Sequence, residues 1–161
     1  MPDAVMWIIG SGPMEDDLRR MAPEGVVFLG KVPPAKKLER LARAHVLIAT
    51  SVREGWGLVV SEAASVGTPS VTYDVAGLRD SVLASEGVLT AANPKQLAKT
   101  LRETLEIWLR DGLPAISPKG VIPWEDVARR ILLETDADAL PANTMVNSSV
   151  TTILGVPNDR A

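Results

Sequence analysis

REGWGLVVSEAASVGTPSV, residues 53–71, sets two glutamates, Glu54 and Glu62, eight positions apart across a glycine-bracketed tryptophan. Gly55 and Gly57 frame Trp56, the run from Leu58 reads as a helix reaching Gly67, and PSVTY (69–73) follows as a strand. A strand just before this stretch, VLIATS (46–51), makes it a strand, loop, helix, strand unit. Such a unit is the building block of a parallel sheet.

Working outward, the same alternation recurs. AVMWIIG (4–10) is a strand ending in the turn GSGP, MEDDLRRM (14–21) a short charged helix, and VVFLG (26–30) a second strand. AKKLERLARA (35–44) is a helix with Leu38 and Leu41 on one face, and the Lys36–Lys37 and Arg129–Arg130 pairs read as solvated faces. GVLT (87–90) is a candidate fifth strand. NPKQLAKTLRETLEIWLRDG (93–112) is a helix with Asn93 as N-cap, Pro94 at its first position and Gly112 as its stop. PWEDVARRILLE (123–134) is one more helix, and Trp108 and Trp124 read as packing anchors. The expected class is therefore α/β, a Rossmann-like parallel sheet with helices on both faces. Residues 1–135 are expected to form one domain. Residues 136–161 are expected to form an extended or partly flexible tail in which VTTILGV (150–156) is a candidate strand.

Composition narrows the function. The chain has 161 residues, 46% hydrophobic and 23% charged, the make-up of one globular domain. A net charge of −3 with dispersed Lys and Arg argues against a nucleic-acid surface. No cysteine and a single histidine exclude a disulfide framework, cysteine-ligated zinc and a histidine metal cluster. No apolar run of bilayer length and no signal-peptide pattern is present, and the cysteine-free composition fits a reducing cytoplasm, the expected location. The Asn147–Ser148–Ser149 triplet matches a glycosylation sequon by chance in that setting.

The carboxylates of the opening stretch have a physical reading. In a parallel sheet, ligands gather at the carboxyl ends of strands, where helix N-termini offer unpaired N–H groups and a positive dipole end. Gly55 and Gly57 let the backbone approach a phosphate, so the amides of Gly57 and Leu58 are candidates to hold a diphosphate. With about 100° per residue, Val59, Ala63 and Val66 fall on one buried stripe and Glu62 roughly 40–60° off its edge. A half-buried carboxylate needs donors, and a ribose diol supplies two. Glu54, acceptor-only when ionised, would take sugar hydroxyls. The same two glutamates also fit plain dipole partners on a solvated surface.

Read together, IIGSGP, VVFLGKV and LIATSVREGWGLVVSEAASVGTPSVTYDVAGL resemble the donor-nucleotide half of the retaining, group 1 (family 4) glycosyltransferases of GT-B fold, over residues 4–135. The resemblance implies that Glu54 is the catalytic-site glutamate touching donor-sugar hydroxyls, that Glu62 holds the ribose diol, and that Gly57 and Leu58 contact phosphate. It puts Gly12 and Gly77 in donor-binding loops, Trp56 on the aromatic wall, and the base against backbone near Lys31 and Val32. The donor is a nucleotide diphosphate sugar, and no metal or other cofactor is expected. Trp56 stands for the usual phenylalanine, Thr50 for a common proline, Ala76 for a frequent glycine, and His45, read as structural, for a common aspartate.

Family members carry a further strand and helix ahead of the G-x-G-P strand, with an arginine and a lysine for the diphosphate, and an acceptor-binding domain before that. The sequence has Met1 just ahead of AVMWIIG, so the expected sheet lacks its first, central strand, and the expected partner is an acceptor domain in cis or in trans. In the order 3-2-1-4-5-6 that absence leaves two open edges. A strand from another chain, closure of the neighbours, or residues 150–156 would fill them. Without the facing domain the isolated chain is expected to be inactive. Two other readings stand beside this one: a non-catalytic nucleotide-sugar binding module, and a nucleotide-sugar epimerase-type domain. A dinucleotide oxidoreductase is disfavoured because Glu15 replaces the third glycine of G-x-G-x-x-G, leaving Gly10 and Gly12 to fit a tight turn equally well.

Overall fold

The computed structural model describes residues 4–116 and 124–134. The chain divides into two compact units, Met1–Val121 and Ile122–Ala161. The first contains β1 (Met6–Ile9), α1 (Glu15–Met21), β2 (Val26–Gly30), α2 (Pro34–Ala42), β3 (Leu47–Ala49) and α3 (Leu58–Ser65). It continues with β4 (Ser70–Tyr73), α4 (Leu78–Ala84), β5 (Val88–Thr90) and α5 (Pro94–Asp111). Of the second unit the described part is α6 (Trp124–Glu134), whose first turn carries Glu125 and Asp126 against the positive dipole end. The expected tail, the strand at 150–156 and the triplet at 147–149 lie outside the described residues.

Every strand pairing is parallel, so each return passes through a helix. The strands form two sheets, β1-β2 and β3-β4-β5. Met6 aligns with Val26, Trp7 with Val27 and Ile8 with Phe28 in the first; Leu47 aligns with Ser70 and Val71 with Val88 in the second. The helix between them, α2, sets their order. Its Arg40 guanidinium lies over the Trp7 ring of β1 at 4.9 Å, and its Leu41 carbonyl accepts from the Thr68 hydroxyl at 2.6 Å, just before β4. The break between the sheets thus falls between β1 and β3, where the expected order lacks its central strand. Closure of those neighbours, one of three expected outcomes, is not what the structure has, since β1 and β3 are not hydrogen-bonded to each other.

The core sits in the second sheet. All four residues of β4 are buried, because α3 and α4 pack on it together with α5. Ala49, Val60, Tyr73, Leu78 and Val82 form the central cluster. Neither strand of the first sheet has a fully buried residue, and α1 buries none.

One helix was not expected. No element was assigned between Tyr73 and Gly87, yet α4 lies there and supplies Leu78 and Val82 to the core. Half of its inward stripe is serine, which hides the apolar period. Ser81 donates to the Leu78 carbonyl at 3.0 Å and Ser85 to the Ser81 carbonyl at 2.7 Å, so both hydroxyls are buried with partners. The α3 stripe keeps only Ala63 of the three expected residues: Val60, Ala63 and Ala64 are its buried members, while Val59 and Val66 are half-buried. Asn93 caps α5 as expected, accepting from the amides of Lys95 (2.9 Å) and Gln96 (3.3 Å).

Leu78→Ala removes a fully buried side chain from that cluster and is expected to destabilise the first unit by about 2–5 kcal/mol, read from urea unfolding. Hydrogen exchange is expected to be slowest in β4 and clearly faster in β1 and β2, where few apolar groups are withdrawn from water.

Candidate functional site

The site residues arise at the carboxyl ends of parallel strands. β3 ends at Ala49, and residues 50–57 lead to α3, whose N-cap Gly57 adopts the left-handed conformation, φ 71° and ψ 55°. No side chain caps this helix, and the amides of Gly57 and Leu58 have no acceptor among the described residues. Both amides are thus left without partners at the helix's positive end, with Gly57 itself buried against α4.

Two glycines fit this loop onto α4. Gly77, at φ +83°, abuts the Glu54 backbone, and a Cβ there would collide with the Glu54 carbonyl oxygen. A Cβ on Gly57 would meet Leu78 Cδ2 at 2.8 Å and Ser81 Oγ at 2.9 Å. The Glu54 main chain is thus clamped while its side chain is exposed. Across the Gly77 turn, Arg79 hydrogen-bonds Asp74 at 2.5 Å, which holds the Asp74 carboxyl below its ordinary range.

Trp56 is 40% exposed, and its indole N–H donates to Ser61 Oγ at 2.9 Å, folding the ring over the first turn of α3. Phenylalanine at this position has no such donor, which gives the substitution noted in the sequence a physical reason. Leu58 points outward at 70% exposure, leaving its contribution to the backbone. Glu62 is half-buried, but on the side of α3 away from its buried stripe of Val60, Ala63 and Ala64, because α2 packs there: its Oε1 lies 2.6 Å from Lys37 Nζ. The expectation that both Lys36 and Lys37 are solvated therefore needs correction. Lys36 pairs locally with Glu39, but Lys37 lies one turn ahead of the buried Leu41 and reaches across to α3. That i, i+4 relation to Leu41 was the signal available in the sequence.

The remaining expected residues sit in other strand-end loops. Lys31 is exposed and Val32 half-buried between β2 and α2, and Gly12 is exposed in the turn after β1. The Gly10 amide donates to the Gly30 carbonyl at 2.8 Å, tying these two loops together. The Lys37–Glu62 pair brings the helix that follows Lys31 and Val32 to α3. The Gly12 backbone makes no hydrogen bond to residues 54–62; its loop belongs to the first sheet. His45 is exposed in the turn before β3, outside this set. Among the described residues no group of three or more His, Cys, Asp or Glu is arranged to hold a metal ion, and no helix is long and apolar enough to cross a membrane.

Residues 1–106 match the family model for glycosyl transferases group 1, and the chain belongs to that family. It is 26% identical over 141 residues to a phosphatidylinositol N-acetylglucosaminyltransferase subunit of Arabidopsis thaliana, covering 80% of this chain and 30% of the relative. It is 30% identical over 145 residues to a GDP-mannose-dependent monoacylated alpha-(1-6)-phosphatidylinositol monomannoside mannosyltransferase of Corynebacterium glutamicum, covering 81% of this chain and 38% of that protein. The chain thus spans about a third of the length of these relatives. The crystal structure of TarM superposes with a TM-score of 0.64 at 19% identity, covering 80% of this chain and 28% of TarM. AviGT4, a glycosyltransferase involved in avilamycin A biosynthesis, superposes with a TM-score of 0.55 at 21% identity, covering 82% of this chain and 50% of that one. The fold is that of a GT-B glycosyltransferase domain, as expected from the sequence.

Gly77→Ala forces both a clash with the Glu54 carbonyl and a positive φ on a side-chain-bearing residue. A loss of about 2 kcal/mol or more in urea unfolding is expected. Gly55→Ala, where a Cβ meets nothing within 4 Å, is expected to cost less than half as much.

Proposed function

We propose that this chain is the donor-binding part of a retaining glycosyltransferase that moves a sugar from a nucleotide diphosphate sugar to an acceptor hydroxyl. The observation that carries the reading is an uncapped helix tip with a glutamate on each side. Glu54 lies before Gly57 in the loop, and Glu62 follows half-buried on the side of α3 that faces α2.

The diphosphate rests on the Gly57 and Leu58 amides, where fixed dipoles meet negative charge as it grows on the leaving group. No metal is required of this chain. Glu62 accepts from the ribose hydroxyls, Glu54 from those of the sugar, and Trp56 walls the sugar's side of the loop. Lys31 and Val32 frame the base through their backbone, with Gly12 and Gly77 in the flanking loops. The acceptor oxygen bonds the anomeric carbon on the face from which the diphosphate departs, and its proton passes to the departing diphosphate oxygen, so configuration is kept. That step needs a facing acceptor domain, in cis or in trans, and the isolated chain binds donor without turning it over. The work is cytoplasmic in this reading, where nucleotide sugars of this kind are met by a protein without cysteine.

Calorimetry with GDP, UDP and ADP tests the binding step, with GDP first because one relative is named for a GDP-mannose donor. One of the three is expected to bind, and Glu62→Ala is expected to weaken it about tenfold or more through the loss of two charge-assisted hydrogen bonds. Undiminished binding by that variant would remove the ribose role.

A further inference from the structure

Among the described residues, Lys37–Glu62 is the ion pair that joins two helices. Arg19 with Glu15 and Lys36 with Glu39 are ion pairs within one helix turn, at the surface, of the kind that contributes little. Lys37 instead spans from α2 to a residue 25 positions away on α3, and the two side chains retain only 32% and 34% exposure. Its ammonium occupies Glu62 Oε1 at 2.6 Å, while Oε2 has no partner among the described residues.

From this geometry we infer that Lys37 is a positioning residue for nucleotide recognition, an inference that rests on the ribose reading of Glu62. An ionised carboxylate oxygen accepts more than one hydrogen bond, so Oε1 retains capacity beside the ammonium and Oε2 is left whole for a second hydroxyl. A glutamate held in place before the ligand arrives has less rotamer freedom to lose on binding. Lys37 touches Glu62 rather than the nucleotide, and its effect is confined to ligands that carry the ribose diol.

The test titrates the full chain calorimetrically with GDP, UDP and ADP and with their 2′,3′-dideoxy counterparts, reading the ratio of the two affinities. Wild type is expected to prefer the ribonucleotide about tenfold or more. Lys37→Met is expected to shrink that preference about three- to tenfold with dideoxynucleotide affinity unchanged, and Lys37→Arg to restore it. If Lys37→Met fails to fold by circular dichroism, Lys37→Gln is read instead. A wild-type chain that binds no nucleotide, or binds both forms equally, overturns the ribose reading and this inference with it. A wild type that discriminates, beside a Lys37→Met that weakens both forms alike, leaves Glu62 its role and overturns the inference alone, reducing Lys37 to a tie between α2 and α3.

Discussion

The contact between Gly77 and the Glu54 carbonyl is the constraint on which the site rests. Residues 54–57 can lie against the start of α4 only because position 77 has no side chain and accepts a positive φ. Gly57 meets the same helix, against Leu78 and Ser81, and both of those are buried members of the core. The loop that carries the first glutamate is thus fixed by the best-packed part of the protein. A rigid frame beneath a short exposed loop is the arrangement that precise recognition needs.

Much of this was legible in the sequence. Asn93, Pro94 and Gly112 are strong local punctuation, and they bound a helix as written. The glycine-bracketed tryptophan located the start of α3, while the half-burial of Glu62 comes from α2 rather than from the stripe its helical angle was read against. What stayed hidden depended on tertiary partners. The serines of α4 look like loop residues until their hydroxyls return to helix carbonyls, and Lys37 looks like a solvated twin of Lys36 until α3 is brought beside it. The hydrogen bond from Trp56 to Ser61 is of the same kind, since it needs the loop folded back on the helix.

The break between the sheets has an equally plain origin. β4 has neighbours on both sides and helices packed against it, so Ser70 and Thr72 are buried with its apolar residues. β1 has a partner on one side only, and its exposed Met6 and half-buried neighbours reflect that. Parallel strands are ordinarily buried on both faces, and β4 meets that rule while the strands of the first sheet fall short of it.

The covalent path from one sheet to the other runs through α2. Arg40 and Leu41 in its last turn touch Trp7 of the first sheet and Thr68 ahead of β4, and Lys37 nearer its start reaches Glu62, so α2 bridges the break. The segment 31–32 at its head and Glu62 on α3 are therefore tied to one helix, and a small rotation of α2 would change the distance between them.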